Sequence, residues 1–260
     1  MLRGEKHFYH NLNNTESNSL SSIGWDVKHE KKHFKINLGN DVVFLRKLPS
    51  SDLAVFKQVF KDKEYDVVLD YLNRYYRNKE VLMIDCGSNI GLSSLYLYEY
   101  GNFNLKTVCV EPDTNNFELL EKNMNPYTEK GVAECINKAI HSESNKNVAL
   151  TSNFRDGREW AIKTEIIETE GELLTINILD ILNQKNWGCL DLLKIDVEGA
   201  EKYIFDDSFD LNYLKQIKVI ALEIHDEVVS RQNIYAILEK HGFLILNYSE
   251  STIALNKKFI

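Results

Sequence analysis

The segment from Val81 to Gly91 constrains the fold of this chain more than any other. It reads Val-Leu-Met-Ile-Asp-Cys-Gly-Ser-Asn-Ile-Gly, an apolar run that ends in an acid and continues into two glycines. This pattern predicts a buried strand, a tight turn and a helix N-terminus, which form a nucleotide-sized notch at the carboxyl edge of an α/β sheet. A dinucleotide fingerprint needs glycine at three spaced positions, so that backbone can approach a pyrophosphate. Counting from Gly87, those positions hold Gly87, Asn89 and Leu92, so the pattern is broken.

The acid at Asp85 favours a positively charged cofactor. A carboxylate there would repel a diphosphate, whereas S-adenosylmethionine (SAM) carries a sulfonium and an amino group and has no phosphate. Glu111 and Pro112 end the next predicted strand, at the spacing that places a carboxylate beside the ribose hydroxyls of a bound nucleotide. The simpler alternatives are a helix cap at Asp85, an ordinary strand-end charge at Glu111, or an NAD site. The predicted SAM-binding residues are Asp85, Gly87, Ser88, Asn89, Gly91, Glu111, Pro112 and Asp196, with Ala139 added from topology as an adenine contact.

Composition narrows the classes of function. The chain has 260 residues, with 39 acidic against 31 basic side chains and a formal net charge of −8. This balance disfavours a nucleic-acid substrate, which normally requires a basic face. We find no apolar stretch long enough to span a membrane and no signal peptide, so a cytoplasmic protein is expected. The four cysteines form no C-x-x-C pair, which favours free thiols over a disulfide framework or a zinc site.

Strands and helices alternate from about residue 79 to the end of the chain. This alternation predicts a doubly wound, mostly parallel sheet, and two closing strands joined by a short polar turn predict an antiparallel hairpin at its edge. We expect one domain, with 79–260 as the core and 1–78 as a dependent arm and cap segment. Residues 1–22 are polar and are predicted to form a mobile arm or a loosely packed segment. Asn125 and Pro126 are predicted to end a helix that begins near 113.

A second group of ionisable residues follows two later strands. Asp196 and Glu198 come after the strand 191–195, Glu201 begins a helix, and Glu223 and His225 end the strand 217–223. By the switch-point rule, these strand ends lie beside the end of the first core strand and face the same cleft. We therefore predict that Asp196, Glu198, Glu223 and His225 are catalytic.

If the bound SAM donates its methyl group to a hydroxyl, these groups can activate that hydroxyl in more than one way. A neutral His225 could remove the proton as a general base. Alternatively, Asp196, Glu223 and His225 could hold a divalent metal that acidifies the hydroxyl. In the simplest interpretation the acids orient SAM or cap helices and the histidine is structural. The segment after the fourth core strand lacks the Asn/Asp-Pro-Pro-Tyr/Phe signature of amine-methylating enzymes, which favours a hydroxyl acceptor.

The chain resembles the FkbM family of SAM-dependent methyltransferases. Residues 84–91 are similar to the family's first motif, and 193–201, which read Leu-Lys-Ile-Asp-Val-Glu-Gly-Ala-Glu, are its most specific match. Residues 51–65 and 174–180 are also similar, although Asn177 stands where an acid is common, and the resemblance covers about 45–248. It implies a class I, Rossmann-like methyltransferase with a seven-stranded, mostly parallel sheet. It implies SAM roles for Asp85, Gly87, Asn89 and Glu111, and functional importance for Asp196, Glu198 and Glu201.

The resemblance also implies O-methylation of a bacterial sugar or of a hydroxyl on a secondary metabolite. We expect a sugar, either nucleotide-activated or part of a surface glycan such as capsule or lipopolysaccharide. Arg158 could clamp a phosphate and Trp160 could form a sugar platform. An equally simple interpretation of these two residues is surface charge and ordinary packing. Glu201 is predicted as a further substrate residue. The alternatives are a polyketide or peptide acceptor, an NAD-dependent oxidoreductase, and a SAM-binding partner protein without catalysis.

Overall fold

The computed structural model describes residues 3–22, 24–39, 41–151, 163–166, 173–248 and 251–260. The helices are α1 (Arg3–Ser22), α2 (Asp52–Phe56), α3 (Asp66–Tyr75), α4 (Leu92–Tyr100), α5 (Thr114–Thr128), α6 (Ile178–Lys185), α7 (Glu201–Ile204) and α8 (Arg231–Lys240). The strands are β1 (Asp26–His29), β2 (His33–Leu38), β3 (Asp41–Arg46), β4 (Glu80–Cys86), β5 (Asn104–Val110), β6 (Ala133–Ile136), β7 (Ala139–Ile140), β8 (Asn147–Thr151), β9 (Lys163–Ile166), β10 (Leu173–Ile176), β11 (Leu190–Ile195), β12 (Ile217–Glu223), β13 (Phe243–Tyr248) and β14 (Ser251–Asn256). A π-helical turn, Lys57–Lys61, continues α2, and a 3₁₀ turn, Asn212–Gln216, precedes β12.

A seven-stranded sheet forms the centre of the fold, in the order β13-β14-β12-β11-β4-β5-β6. The five strands from β12 to β6 are parallel, and β14 runs antiparallel to both of its neighbours. The predicted mostly parallel sheet with an antiparallel C-terminal hairpin is therefore confirmed. The chain leaves β4 towards β5 on one side and returns to β11 on the other. The strand order thus reverses between β4 and β11, which is where ligands bind in open α/β sheets.

Both faces of the central sheet are covered. Helices α4 and α5 pack on one face together with the N-terminal segment, and α6 and α8 pack on the other. Every residue of β11 is buried, as expected for a strand with helices on both sides. None of the helices within the ranges that the structure describes is both long enough and apolar enough to cross a membrane.

The N-terminal segment, residues 3–78, is hydrogen-bonded to the core next to the turn that follows β4. Strands β1, β2 and β3 form an antiparallel sheet. The buried Asn123 of α5 accepts a hydrogen bond from Phe44 N (2.8 Å) and donates to Phe44 O (3.1 Å) and Ile90 O (2.9 Å). Arg46 pairs with the buried Asp52 at 2.7 Å and also donates to Asn116 Oδ1 (2.8 Å). These bonds connect the N-terminal sheet to the turn that follows β4.

Two local expectations from the sequence are wrong, and one small sheet was not expected. Residues 3–22 form helix α1 instead of an arm; Leu20 is buried in the core and Asn13 Oδ1 accepts a hydrogen bond from Leu48 N. Helix α5 continues through Pro126 to Thr128, because a proline removes only one backbone donor and the last turn remains supported by its other bonds. A four-stranded sheet, β7-β10-β8-β9, was also not predicted as a sheet, because its strands have only two to five residues.

Candidate active site

A cavity of about 240 Å³ opens at the carboxyl edge of the sheet, where the ends of β4, β11 and β12 meet the N-terminal segment. The core contributes the turn after β4, Lys194 of β11 and three acids, and the N-terminal segment contributes the opposite wall. Its lining residues are Ala54, Val55, Gln58, Val59, Glu64, Tyr65, Gly87, Ser88, Asn89, Ile90, Leu92, Ser93, Lys194, Asp196, Glu198 and Glu223.

The turn after β4 brings two strand ends into close contact. Gly87, Asn89 and Gly91 all have positive φ, at 73°, 50° and 89°. A Cβ atom on Gly87 would lie 1.7 Å from Asp196 O, so only glycine fits there. Gly87 N and Ser88 N both donate to Val110 O of β5, at 2.9 and 3.0 Å. The turn therefore joins the ends of β4, β5 and β11.

Asp85 does not reach the cavity. Its side chain is fully buried beneath the turn, and Oδ2 accepts hydrogen bonds from Ser93 Oγ and Ser94 Oγ, both at 2.7 Å. Oδ1 lies 3.2 Å from Lys194 Nζ, which also donates to Gly87 O at 2.7 Å. We expected Asp85 to meet the cationic part of the cofactor. The structure gives it a different setting, in which it holds the first turn of α4 and a buried lysine.

Glu111 stands at the end of β5, beside the same turn. Its Oε2 accepts from Asn89 N (2.8 Å), and its Oε1 accepts from Asp113 N (3.0 Å) and Asn116 Nδ2 (3.3 Å). Burial raises the pKa of Glu111 to about 7, although these hydrogen bonds favour the ionised form. Because a carboxylate has about four acceptor sites, there is capacity for ribose hydroxyls in addition to these partners.

The two remaining predicted cofactor residues lie beyond Glu111. Asn137 Nδ2 donates to Glu111 O (2.9 Å) and to Pro112 O (3.1 Å), which fixes the backbone around Pro112. Ala139 lies in β7 and is buried against Val148 and Leu173, so its side chain serves the core of the small sheet.

His225 lies behind the acids of the cavity wall. Its Nδ1 is 2.6 Å from Glu201 Oε1, and both side chains are buried. Its Nε2 lies 3.3 Å from Glu198 Oε2 and 3.8 Å from Glu223 Oε1. One ligand atom from each of Asp196, Glu198 and His225 lies within 4.8 Å of the others. The structure thus groups Glu198, in place of the predicted Glu223, with Asp196 and His225.

The charges of this cluster determine its protonation. Burial lowers the pKa of His225, but the hydrogen bond to Glu201 and the charges of Glu201, Glu198 and Asp196 raise it to about 9. Burial and the charge of Asp196 raise the pKa of Glu223 to about 8, although the charge of His225 lowers it. At pH 7 His225 is therefore protonated, and so is most of Glu223. Glu223 lines the cavity and becomes a proton acceptor as the pH rises towards and above 8.

Several residues of the site were not predicted. Lys194 lines the cavity and contacts Asp85, and a lysine among the apolar residues 192–195 was a signal for it. Tyr65 and Gln58 come from the N-terminal segment. Burial raises the pKa of Tyr65, and the charge of Lys194 opposes this shift. Glu201, predicted as a substrate residue, is the buried partner of His225. Arg158 and Trp160 lie outside the residues that the structure describes.

The strand order, with β14 antiparallel between β12 and β13, defines a class I, Rossmann-like methyltransferase. Residues 85–245 match the family model for the methyltransferase FkbM domain. The chain belongs to the FkbM methyltransferase family, which confirms the resemblance of its two motifs.

Individual relatives are distant. Methyltransferase sdnD of Sordaria araneosa is 24% identical over 221 residues, which cover 73% of this chain and 81% of that protein. The structure of Methyltransferase FkbM from Methylobacillus flagellatus KT is 15% identical, with a TM-score of 0.43, and the match covers 79% of this chain and 52% of that one. M. capricolum TrmK, solved with S-adenosyl-homocysteine, is 11% identical with a TM-score of 0.41, over 73% and 68% of the two chains.

Proposed function

We propose that this methyltransferase uses SAM to methylate a hydroxyl group of a small, hydroxyl-rich acceptor, most simply a sugar. The observation that carries the proposal is the junction of three strand ends. The glycine turn after β4 packs on the backbone of Asp196, and Glu111 closes the neighbouring strand end. In this proposal the ribose binds at Glu111 and the sulfonium methyl faces the acid-lined cavity.

The lining of the cavity supports a polar acceptor. Gln58, Glu64, Asp196 and Glu223 present amide and carboxylate groups to it, and such groups accept hydrogen bonds from hydroxyls. The same acids oppose a diphosphate close to the reacting hydroxyl. If the sugar is nucleotide-activated, its diphosphate therefore lies outside this cavity. The excess of acids over bases also favours a small molecule over a nucleic acid.

Methyl transfer requires the acceptor oxygen, the methyl carbon and the sulfur to lie in line, so positioning supplies much of the rate. The carboxylates of the cavity stabilise the positive sulfonium before transfer. In its ionised form Glu223 is the group best placed to take up the hydroxyl proton, since it lines the cavity. Its pKa of about 8 means that this form becomes more abundant as the pH rises from 7 to 9. His225, held by Glu201, keeps Glu198 and Glu223 in place.

The cofactor can be tested by calorimetric titration of the purified protein with S-adenosylhomocysteine, with NAD titrated in parallel. We expect a dissociation constant in the range of about 1 μM to 1 mM for S-adenosylhomocysteine and no heat from NAD. Glu111→Ala should weaken binding, and Glu118→Ala, an exposed position on α5, should not. The proposal would be refuted if NAD binds and S-adenosylhomocysteine does not.

The acceptor can then be identified by transfer of label from radioactive SAM. The panel contains sugars and nucleotide sugars, with polyketide and peptide hydroxyls beside them.

The affinity for S-adenosylhomocysteine should rise with pH between about 6 and 8. Burial raises the pKa of Glu111 to about 7, so the carboxyl is protonated below that pH. Ribose hydroxyls donate to the ionised form, which therefore binds better; below the pKa the affinity should change by up to about tenfold per pH unit. Glu111→Gln should abolish this dependence, and Glu118→Gln should retain it. A wild-type profile that is flat across this range would show that Glu111 does not contact the ribose.

A further inference from the structure

We infer that Asp196, Glu198 and His225 form a binding site for a divalent cation of the Mn²⁺ type in the wall of the acceptor cavity. The inference rests on the proposed function only for the role of the cation, because binding itself can be measured without an acceptor. It differs from the triad expected from sequence in that Glu198 is the ligand and Glu223 stands beside the site.

The buried nitrogen of His225 is the main observation. The residue is 2% exposed, and its Nδ1 is held by Glu201, a carboxylate that is itself fully buried. Its Nε2 has no hydrogen-bond partner and lies 3.3 Å from an oxygen of Glu198 and 3.8 Å from an oxygen of Glu223. A cation bound here would displace the proton from Nε2 and leave the other proton on Nδ1, so that Nε2 offers its lone pair to the ion. The ion would then supply the positive charge among these oxygens that the protonated ring supplies without it.

The arrangement around His225 matches the second shell of metal sites. A histidine that binds a metal through one nitrogen usually donates from the other to a carboxylate, which fixes its tautomer and ring orientation. Glu201 supplies that carboxylate at 2.6 Å. It is too deeply buried to touch a ligand in the cavity, so positioning His225 is its role.

The distances suit one ion. Bonds of about 2.1 Å place adjacent ligand atoms roughly 3 Å apart and opposite ones about 4 Å apart. Glu198 Oε2 and His225 Nε2 are 3.3 Å apart, close to the spacing of adjacent ligands, and the whole set lies within 4.8 Å, close to the spacing of opposite ligands. The side chains of Asp196 and Glu198 are 33% and 15% exposed, and both line the cavity. The open coordination positions therefore face the acceptor.

The local charges favour a cation and limit its type. Asp196, Glu198 and Glu223 face the site. Lys194 lies beside the site, but its ammonium is closer to Asp85, at 3.2 Å, than to Asp196, at 3.8 Å. Two carboxylates with one imidazole suit Mn²⁺, Fe²⁺ or Zn²⁺ better than the all-oxygen preference of Mg²⁺ and Ca²⁺. A bound ion would lower the pKa of a hydroxyl that coordinates to it.

Titration of the full chain with MnCl₂, followed by the electron paramagnetic resonance signal of free Mn²⁺, tests the site. We expect saturable binding with one ion per chain. Glu198→Gln and Asp196→Asn should weaken it at least about tenfold, and Glu201→Gln should weaken it about 10- to 100-fold. His241→Gln is the matched control, because the ring of His241 bonds to Ile237 O at the end of α8, and this change should leave the affinity unchanged.

A spectroscopic readout separates coordination from mere stability. With Co²⁺ as the probe, His225→Gln should shift or remove the visible absorption bands that the wild-type protein shows. If that variant fails to fold, Glu198→Gln and Asp196→Asn, at the cavity surface, decide the matter. Absence of saturable Mn²⁺ binding up to millimolar concentration, or unchanged affinity in Glu198→Gln, would overturn the inference. S-adenosylhomocysteine is titrated into the same samples. If S-adenosylhomocysteine binds and Mn²⁺ does not, only the cation site is refuted. If Mn²⁺ binds and S-adenosylhomocysteine does not, only the proposed cofactor is refuted.

Discussion

Replacement of Gly87 by alanine should lower the free energy of unfolding by at least about 4 kcal/mol and remove S-adenosylhomocysteine binding. The new Cβ would lie 1.7 Å from Asp196 O and 2.8 Å from Asp196 C. These are backbone atoms of a neighbouring strand end, so they cannot rotate away as a flexible side chain would. The φ of +73° adds the strain of a left-handed conformation. Relief requires β4 and β11 to separate at their carboxyl ends, which is where the cofactor is proposed to bind.

Gly131→Ala is the control for this prediction. Gly131 has nearly the same φ, +70°, but a Cβ there meets nothing within 4 Å. Gly131→Ala should therefore lower the free energy of unfolding only by the strain of a left-handed alanine, about 1–2 kcal/mol. Urea unfolding followed by circular dichroism compares the two variants. Equal losses would mean that the contact with Asp196 has no role in keeping the strand ends together.

The sequence predicted the central sheet well because its signals are local. The run at 81–84 is wholly apolar, the strand 191–195 is apolar apart from Asp191 and Lys194, and each is followed by an acid. Such runs identify buried strands without knowledge of the partner strand. The short strands β7 and β10 have four residues or fewer, and helix α1 is mostly polar. Their stability comes from tertiary contacts, which no local pattern reports.

The candidate site was predicted at the level of strand ends but not at the level of contacts. Asp196, Glu198, Glu223 and His225 do meet at one edge of the sheet, as the switch-point rule requires. The sequence could not show that Glu201 holds His225, because these residues lie on different elements and pair only after β11 and β12 align. It also could not show which way a strand-end acid turns.

Asp85 illustrates this second limit. A side chain at the end of a strand faces the cleft or the interior according to its place in the alternation and to the partners inside. Ser93 and Ser94, on the first turn of α4, together with Lys194 supply three donors beneath the turn. These partners make burial of the carboxylate favourable, since a buried charge persists only where it is paired and hydrogen-bonded. A lysine within the apolar run of β11 was the available sign that a buried acid needed a counter-charge.

Lys194→Met should therefore lower the free energy of unfolding by about 3–5 kcal/mol, since it leaves Asp85 as an uncompensated buried charge. Burial lowers the pKa of Lys194, but Asp85 and Asp196 raise it well above its usual value, so the ammonium is charged at neutral pH. The double variant Asp85→Asn/Lys194→Met should recover most of the loss. An asparagine there still accepts from Ser93 and Ser94, and no charge is then buried. Chemical denaturation of the wild type, both single variants and the double variant gives the coupling energy.

The pair between Lys218 and Asp191, at the opposite end of β11, is the matched comparison. It is shorter, at 2.7 Å, but Lys218 is 24% exposed and Asp191 is 8% exposed. Asp191 also keeps its hydrogen bond from Leu82 N (2.8 Å) when the lysine is removed. Lys218→Met should thus cost about 1 kcal/mol, as for pairs that solvent can screen. If Lys194→Met costs no more than this, or if the double variant recovers nothing, Lys194 does not act by neutralising Asp85. In that case the hydrogen bond from Lys194 to Gly87 O would be the main contribution of this lysine to the turn after β4.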